Sequence, residues 1–115
     1  MKSPITTHVL DTTLGKPAAG VKVILELYYE TEGWRELASG TTDGDGRITN
    51  LLDGDSPLPQ GVYRLTFETG DYFRATGSVG FYPYVSIVFQ VHDTQGHYHV
   101  PLLLSPYGYS TYRGS

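Results

Sequence analysis

Hydrophobic positions in the chain recur every second residue in several short runs, most plainly where Val21, Val23, Leu25, Leu27 and Tyr29 share one face and Lys22, Glu26 and Glu30 the other. A period of two is that of a β-strand, whose successive side chains point to opposite sides. A strand apolar on one side and charged on the other suits an antiparallel sheet with one covered face. The same alternation predicts strands at residues 5–11, 34–41, 62–68, 84–92, 97–104 and 107–112, and a shorter one at 47–51. Turn-forming clusters separate them: Gly15-Lys16-Pro17, Asp43-Gly44-Asp45-Gly46, Asp53-Gly54-Asp55-Ser56-Pro57 and Ser105-Pro106. Only residues 71–76 suggest a helix, with Thr69 as its cap and Gly77 closing its end. Seven or eight strands and one short helix predict an all-β sandwich.

Composition narrows this picture. The 115 residues include 14 Gly and 7 Pro, which fits frequent turns, and the length predicts a single domain over 1–115. Cysteine is absent, which excludes disulfide scaffolds, Cys-ligated metals and thiol chemistry. With 8 Lys and Arg against 12 Asp and Glu, the net charge of −4 argues against nucleic acid as a partner. The opening MKSPITTHVLD contains no apolar stretch of the kind that crosses or enters a membrane, so a cytoplasmic protein is expected.

Four features bear on chemistry. Asp43-Gly44-Asp45-Gly46 begins like a calcium loop, but Arg47 and Gly54 stand where the fifth and twelfth positions of an EF-hand need oxygen ligands, so it reads as a tight acidic turn. His97 and His99 fall on one strand face and His8 on another strand. They read as plain surface strand residues, as a zinc site or as proton-transfer groups, and with Asp93 the only acidic residue in the segment, proton transfer ranks above metal. Arg47 either pairs with Asp43 or Asp45 at the surface or presents its planar fork to a ligand. Finally, the segment 106–115 stays aromatic and β-prone to its end, as an edge strand or a pocket wall would.

Taken together, Thr7-His8-Val9-Leu10-Asp11, Gly15-Lys16-Pro17-Ala18, Asp45-Gly46-Arg47, the run from His97-Tyr98-His99 to Ser105-Pro106, and the closing Tyr112-Arg113-Gly114-Ser115 resemble the transthyretin-like 5-hydroxyisourate hydrolase family. The resemblance implies a transthyretin-like sandwich of two four-stranded sheets with one short helix. It implies subunits paired through edge strands and assembled as a tetramer, a dimer of dimers, with active sites in the channel between pairs. It also implies opening of the 5-hydroxyisourate ring by water, without metal or cofactor. Carried over by position, the catalytic residues are His8, Arg47, His99 and Ser115, and substrate binding falls to His8, Arg47, Tyr112, Arg113, Gly114 and Ser115. In this scheme His99 is the base and His8 its partner, a pairing open to reversal, while Arg47 holds the ring and His97 is accessory or structural. Transthyretin proper carries thyroid hormone on the same fold, so a carrier without turnover is the alternative. It lacks the histidine, the arginine and the Tyr-Arg-Gly-Ser ending found here.

Overall fold

The computed structural model describes residues 3–55 and 57–115; Ser56, inside the predicted turn at 53–57, lies outside the described residues, as do Met1 and Lys2. Nine strands and one helix follow in the order β1 Ile5–Asp11, β2 Lys16–Pro17, β3 Lys22–Tyr29, β4 Gly33–Thr41, β5 Arg47–Ile48, β6 Gly61–Phe67, α1 Thr69–Ala75, β7 Val85–Val91, β8 Tyr98–Ser105 and β9 Gly108–Thr111. They form two sheets. One runs β4-β3-β6-β7, antiparallel throughout. The other, the first sheet because it holds β1, runs β2-β1-β8-β9, with β5 joining β2 on the free edge of β1.

The predicted alternation is what packs the sheets together. Val23, Leu25 and Leu27 of β3, Tyr63, Leu65 and Phe67 of β6, Val9 of β1, and Val100, Leu102 and Leu104 of β8 are buried in one core. The long strands start or stop within a residue or so of the predicted positions. Among the described residues no helix is long and apolar enough to cross a membrane.

Three expectations are corrected. The first sheet has five strands, because Lys16–Pro17, read as pure turn, adds a two-residue ladder to Leu10 and Asp11. The strand predicted at 47–51 ends at Ile48, once Thr7 and His8 have found their partners on that edge. Thr69 is the first residue of α1 and not its cap: Glu68 holds the cap position without a side-chain bond, and the buried Thr69 hydroxyl has no hydrogen-bond partner among the described residues. Helix entry is fixed instead by the Gly70 N–H donating to the Pro83 carbonyl at 3.1 Å. A Cβ on Gly70 would stand 2.5 Å from that oxygen. At the other end Gly77 adopts φ +80°, a left-handed stop that side chains resist.

One pairing was not foreseen. β1 and β8, from opposite ends of the chain, run parallel along their whole length, with Thr6 opposite His99 and Thr7 opposite Val100. Alternation turns Ile5, Thr7 and Val9 to the core and leaves Thr6 and His8 on the other face, beside His99.

A histidine and arginine pocket on the first sheet

The acidic turn before Arg47 builds one wall of the candidate site. The Asp43 carboxylate accepts from the Asp45 N–H at 2.9 Å and from the Arg47 N–H at 3.0 Å. These backbone donors, that of Arg47 foremost, hold the Asp43 carboxyl below its ordinary pKa. Gly46 sits at φ +75°, and a Cβ there would press into the Val9 carbonyl. Its own carbonyl accepts from the Val9 N–H at 2.7 Å. Turn and strand are thereby stitched together, and Arg47 is set opposite His8. Of the two readings of Arg47, the surface pair is not the one found: among the described residues its guanidinium forms no salt bridge.

The pocket beside this wall has a volume of about 120 Å³ and is lined by Thr6, Thr7, Arg47, Thr49, His97, His99 and Ser115. Arg47, His99 and Ser115, expected together, are brought together. His8 stands next to them without lining the pocket, and its Nε2–H donates to the Asp45 carbonyl at 2.9 Å. A carbonyl only accepts, so this bond fixes the proton on Nε2 and leaves Nδ1 bare in the neutral ring. His97 lies just before β8, on the pocket side.

Thr6 was not foreseen as a site residue. Its hydroxyl lies 2.8 Å from His99 Nδ1 and 3.2 Å from His97 Nε2, bridging the two rings. Desolvation first, and then the neighbouring Arg47 guanidinium, lower the pKa of His99 below the ordinary histidine value, against a smaller raising effect of the Thr6 backbone. The shift favours the neutral ring, which can accept a proton.

The tail crosses this site on its backbone. The Gly114 N–H donates to the His99 carbonyl at 2.8 Å, and a Cβ on Gly114 would stand 2.6 Å from Cδ2 of the His99 ring. A glycine is needed for the chain to lie this close. Tyr112 and Arg113, expected to bind substrate, are placed elsewhere. They line a separate cavity of about 250 Å³ between β7 and β8, with Ile87, Phe89 and Val100 among its walls. The Arg113 guanidinium lies 4.5 Å over the Tyr98 ring and donates to the His97 carbonyl at 3.3 Å. Among the described residues no three His, Asp or Glu side chains gather as a metal-ligand set, and His8, His97 and His99 are thus not grouped as one.

Comparison with known proteins bears on what this pocket does. Residues 5–114 match the model of the HIUase/Transthyretin family. The chain is similar to the 5-hydroxyisourate hydrolase of Salmonella typhimurium, at 49% identity over 96% of this chain and 80% of that protein. It is similar to the mouse 5-hydroxyisourate hydrolase at 46% identity, over 98% of this chain and 96% of the other. Among solved structures it resembles Klebsiella pneumoniae 5-hydroxyisourate hydrolase, with a TM-score of 0.84 and 40% identity over the whole of both chains. Sea bream transthyretin, solved in complex with thyroxine, gives a TM-score of 0.90 at 35% identity, covering 97% of this chain and 95% of that one.

Proposed function

The chain belongs to the HIUase/Transthyretin family, and from that premise we propose that it hydrolyses 5-hydroxyisourate, adding water to a ring carbonyl to give 2-oxo-4-hydroxy-4-carboxy-5-ureidoimidazoline. The observation that carries the reading is the pocket itself: the imidazole of His99, the guanidinium of Arg47, which forms no salt bridge among the described residues, and Ser115 open onto one small cavity. A carrier needs shape and apolar surface; this pocket offers a proton acceptor and a fixed cation.

The reaction asks for little more. His99 takes a proton from water as it attacks the carbonyl, and returns it to the ring nitrogen that leaves. Arg47 stabilises the oxyanion of the tetrahedral intermediate and holds the planar ring through paired N–H donors. His99 is favoured over His8 as the base because His8 already donates Nε2–H to the turn. His8 then acts as a partner that keeps the Arg47 turn in place. Ser115 faces the pocket and contributes a hydroxyl to substrate. Gly114 binds by permitting approach, and Tyr112 and Arg113 act by anchoring the tail. An imidazole moves protons near neutral pH unaided, so the reaction is assigned no metal.

The assembly expected of the family, a dimer of dimers, is part of the same proposal. β7 and β9 are free sheet edges carrying exposed Val88 and Tyr109, the kind of surface that edge-to-edge pairing would cover.

The test is direct. Urate and urate oxidase generate 5-hydroxyisourate in place, and its transient absorbance should decay faster with micromolar protein than alone. A decay rate identical to the spontaneous one overturns the hydrolase reading. Tight binding of the same ring without acceleration would establish the carrier instead.

A further inference from the structure

We propose that Thr6 is a positioning residue that fixes the tautomer of His99, holding the proton on Nδ1 and leaving Nε2 bare toward the pocket, and that His97 sets the direction of the Thr6 hydroxyl. This rests on the hydrolase reading only for its catalytic consequence; the proton arrangement follows from geometry.

The Thr6 side chain is nearly buried, and its oxygen is within hydrogen-bond reach of two ring nitrogens, His99 Nδ1 at 2.8 Å and His97 Nε2 at 3.2 Å. A hydroxyl carries one hydrogen, so it donates to one ring and accepts from the other. Were both rings to donate, the Thr6 hydrogen would be left without an acceptor in a buried setting, which is unfavourable. Two arrangements remain. In one, His99 Nδ1–H donates to Thr6 and the hydroxyl donates to His97 Nε2. In the other, both bonds are reversed, and His99 presents Nε2–H.

Arg47 decides between them. It opens onto the same pocket as His99 and, among the described residues, forms no salt bridge. The nitrogen of His99 not tied to Thr6 therefore sits in a positive field, which favours a lone pair there over an N–H. The first arrangement puts that lone pair where a water would be deprotonated. When Nε2 takes up the proton, the Nδ1–H bond to Thr6 becomes charge-assisted and strengthens. His97, read from sequence as accessory, thus acts two bonds away from the reacting atoms.

Nitrogen-15 spectra of the imidazole rings test this on the full-length protein without substrate, with the His99 signals assigned by their loss in His99→Gln. Native protein should show His99 Nδ1 as the protonated, pyrrole-type nitrogen and Nε2 as the bare, pyridine-type one. In Thr6→Val the ring should revert toward the Nε2–H form that a free imidazole prefers. With it, kcat should fall about 10- to 100-fold, part of the roughly 100- to 10,000-fold a positioned base supplies, while KM moves less than about threefold. Thr6→Ser should restore both tautomer and kcat. His97→Leu removes the acceptor of the hydroxyl, which then donates to His99 Nδ1 and inverts the tautomer in the same sense. This arm decides the matter even if Thr6→Val does not fold. A native His99 protonated on Nε2, or a Thr6→Val protein with native tautomer and native kcat, overturns the proposal. A native spectrum as expected, in a protein that does not speed 5-hydroxyisourate decay, removes the hydrolase reading and leaves the assignment of Thr6 standing.

Discussion

His99 and Arg47 divide the chemistry between a proton acceptor and a fixed positive fork, and each division has a measurable consequence. His99→Gln should lower kcat/KM by roughly 100- to 10,000-fold, the range for a positioned proton-transfer group, with an unchanged circular dichroism spectrum. Arg47→Lys keeps the charge but not the planar pair of donors, so a loss of about tenfold or more would identify geometric recognition, and full activity would reduce Arg47 to simple attraction. The depressed pKa of His99 also fixes the sign of the pH response. A base works when unprotonated, so kcat/KM should be flat near neutrality and fall only as pH drops through a value below the usual histidine pKa of about 6.5. An inflection above that value would mean that burial does not dominate at His99. The same depression makes the unfolded chain bind the proton more tightly than the native one. Folding stability from this group is therefore fully present above about pH 6.5 and is lost as pH falls toward the folded value. If imidazole alone moves the proton, dialysis against a chelator should leave the rate unchanged; activity lost and then restored by zinc would contradict that.

At the scale of elements, two glycines of one turn make a controlled pair. Gly46 is left-handed and its missing Cβ leaves room for the Val9 carbonyl, whereas a Cβ on Gly44 would meet nothing within 4 Å. Gly46→Ala should lower stability by about 1–3 kcal/mol and disturb Arg47, while Gly44→Ala should do neither, by urea melts and kinetics on the two variants. Gly114→Ala tests the tail: the added methyl meets the His99 ring, so activity should fall while the melting midpoint stays within a few degrees of native. Much of this level was legible in the sequence. β3 and β6 were readable because one face of each is buried, which forces alternation, and the Asp43 to Gly46 turn because its residue types demand it. β2 was not, since Lys16 and Pro17 form a ladder only by lying beside Leu10 and Asp11. Thr69 was misread for a similar reason: the helix entry is set by contact of Gly70 with Pro83, a neighbour thirteen residues on that local capping rules ignore. Thr6 was missed because a threonine in a strand carries no signal of its own until the register sets it opposite His99. Tyr112 and Arg113 are expected in the pocket with Ser115 because a contiguous motif suggests a common destination, whereas the Arg113 guanidinium lies over the Tyr98 ring, a contact that no local pattern announces.

The whole molecule gathers its site from both ends of the chain. If subunits pair through β7 and β9, Val88→Lys with Tyr109→Lys should shift sedimentation toward smaller species, while an unchanged distribution would move the interface elsewhere. The parallel alignment of β1 with β8 has a temporal side as well. Contacts such as Thr6 to His99 span 93 residues, so they close a long loop, and that closure entropy must be met before the contact returns anything. The other sheet joins strands nearer in order, and it holds Trp34, the only tryptophan, under the Arg64 guanidinium at 4.2 Å. Tryptophan emission thus reports one sheet during refolding and catalysis reports the other. Emission should recover no later than activity at every denaturant concentration, and activity returning first would mean that the long closure leads. A chain emerging from the ribosome carries His8 long before Gly114 and Ser115, yet it has no pocket until those residues have arrived and turned back to meet β1 and β8.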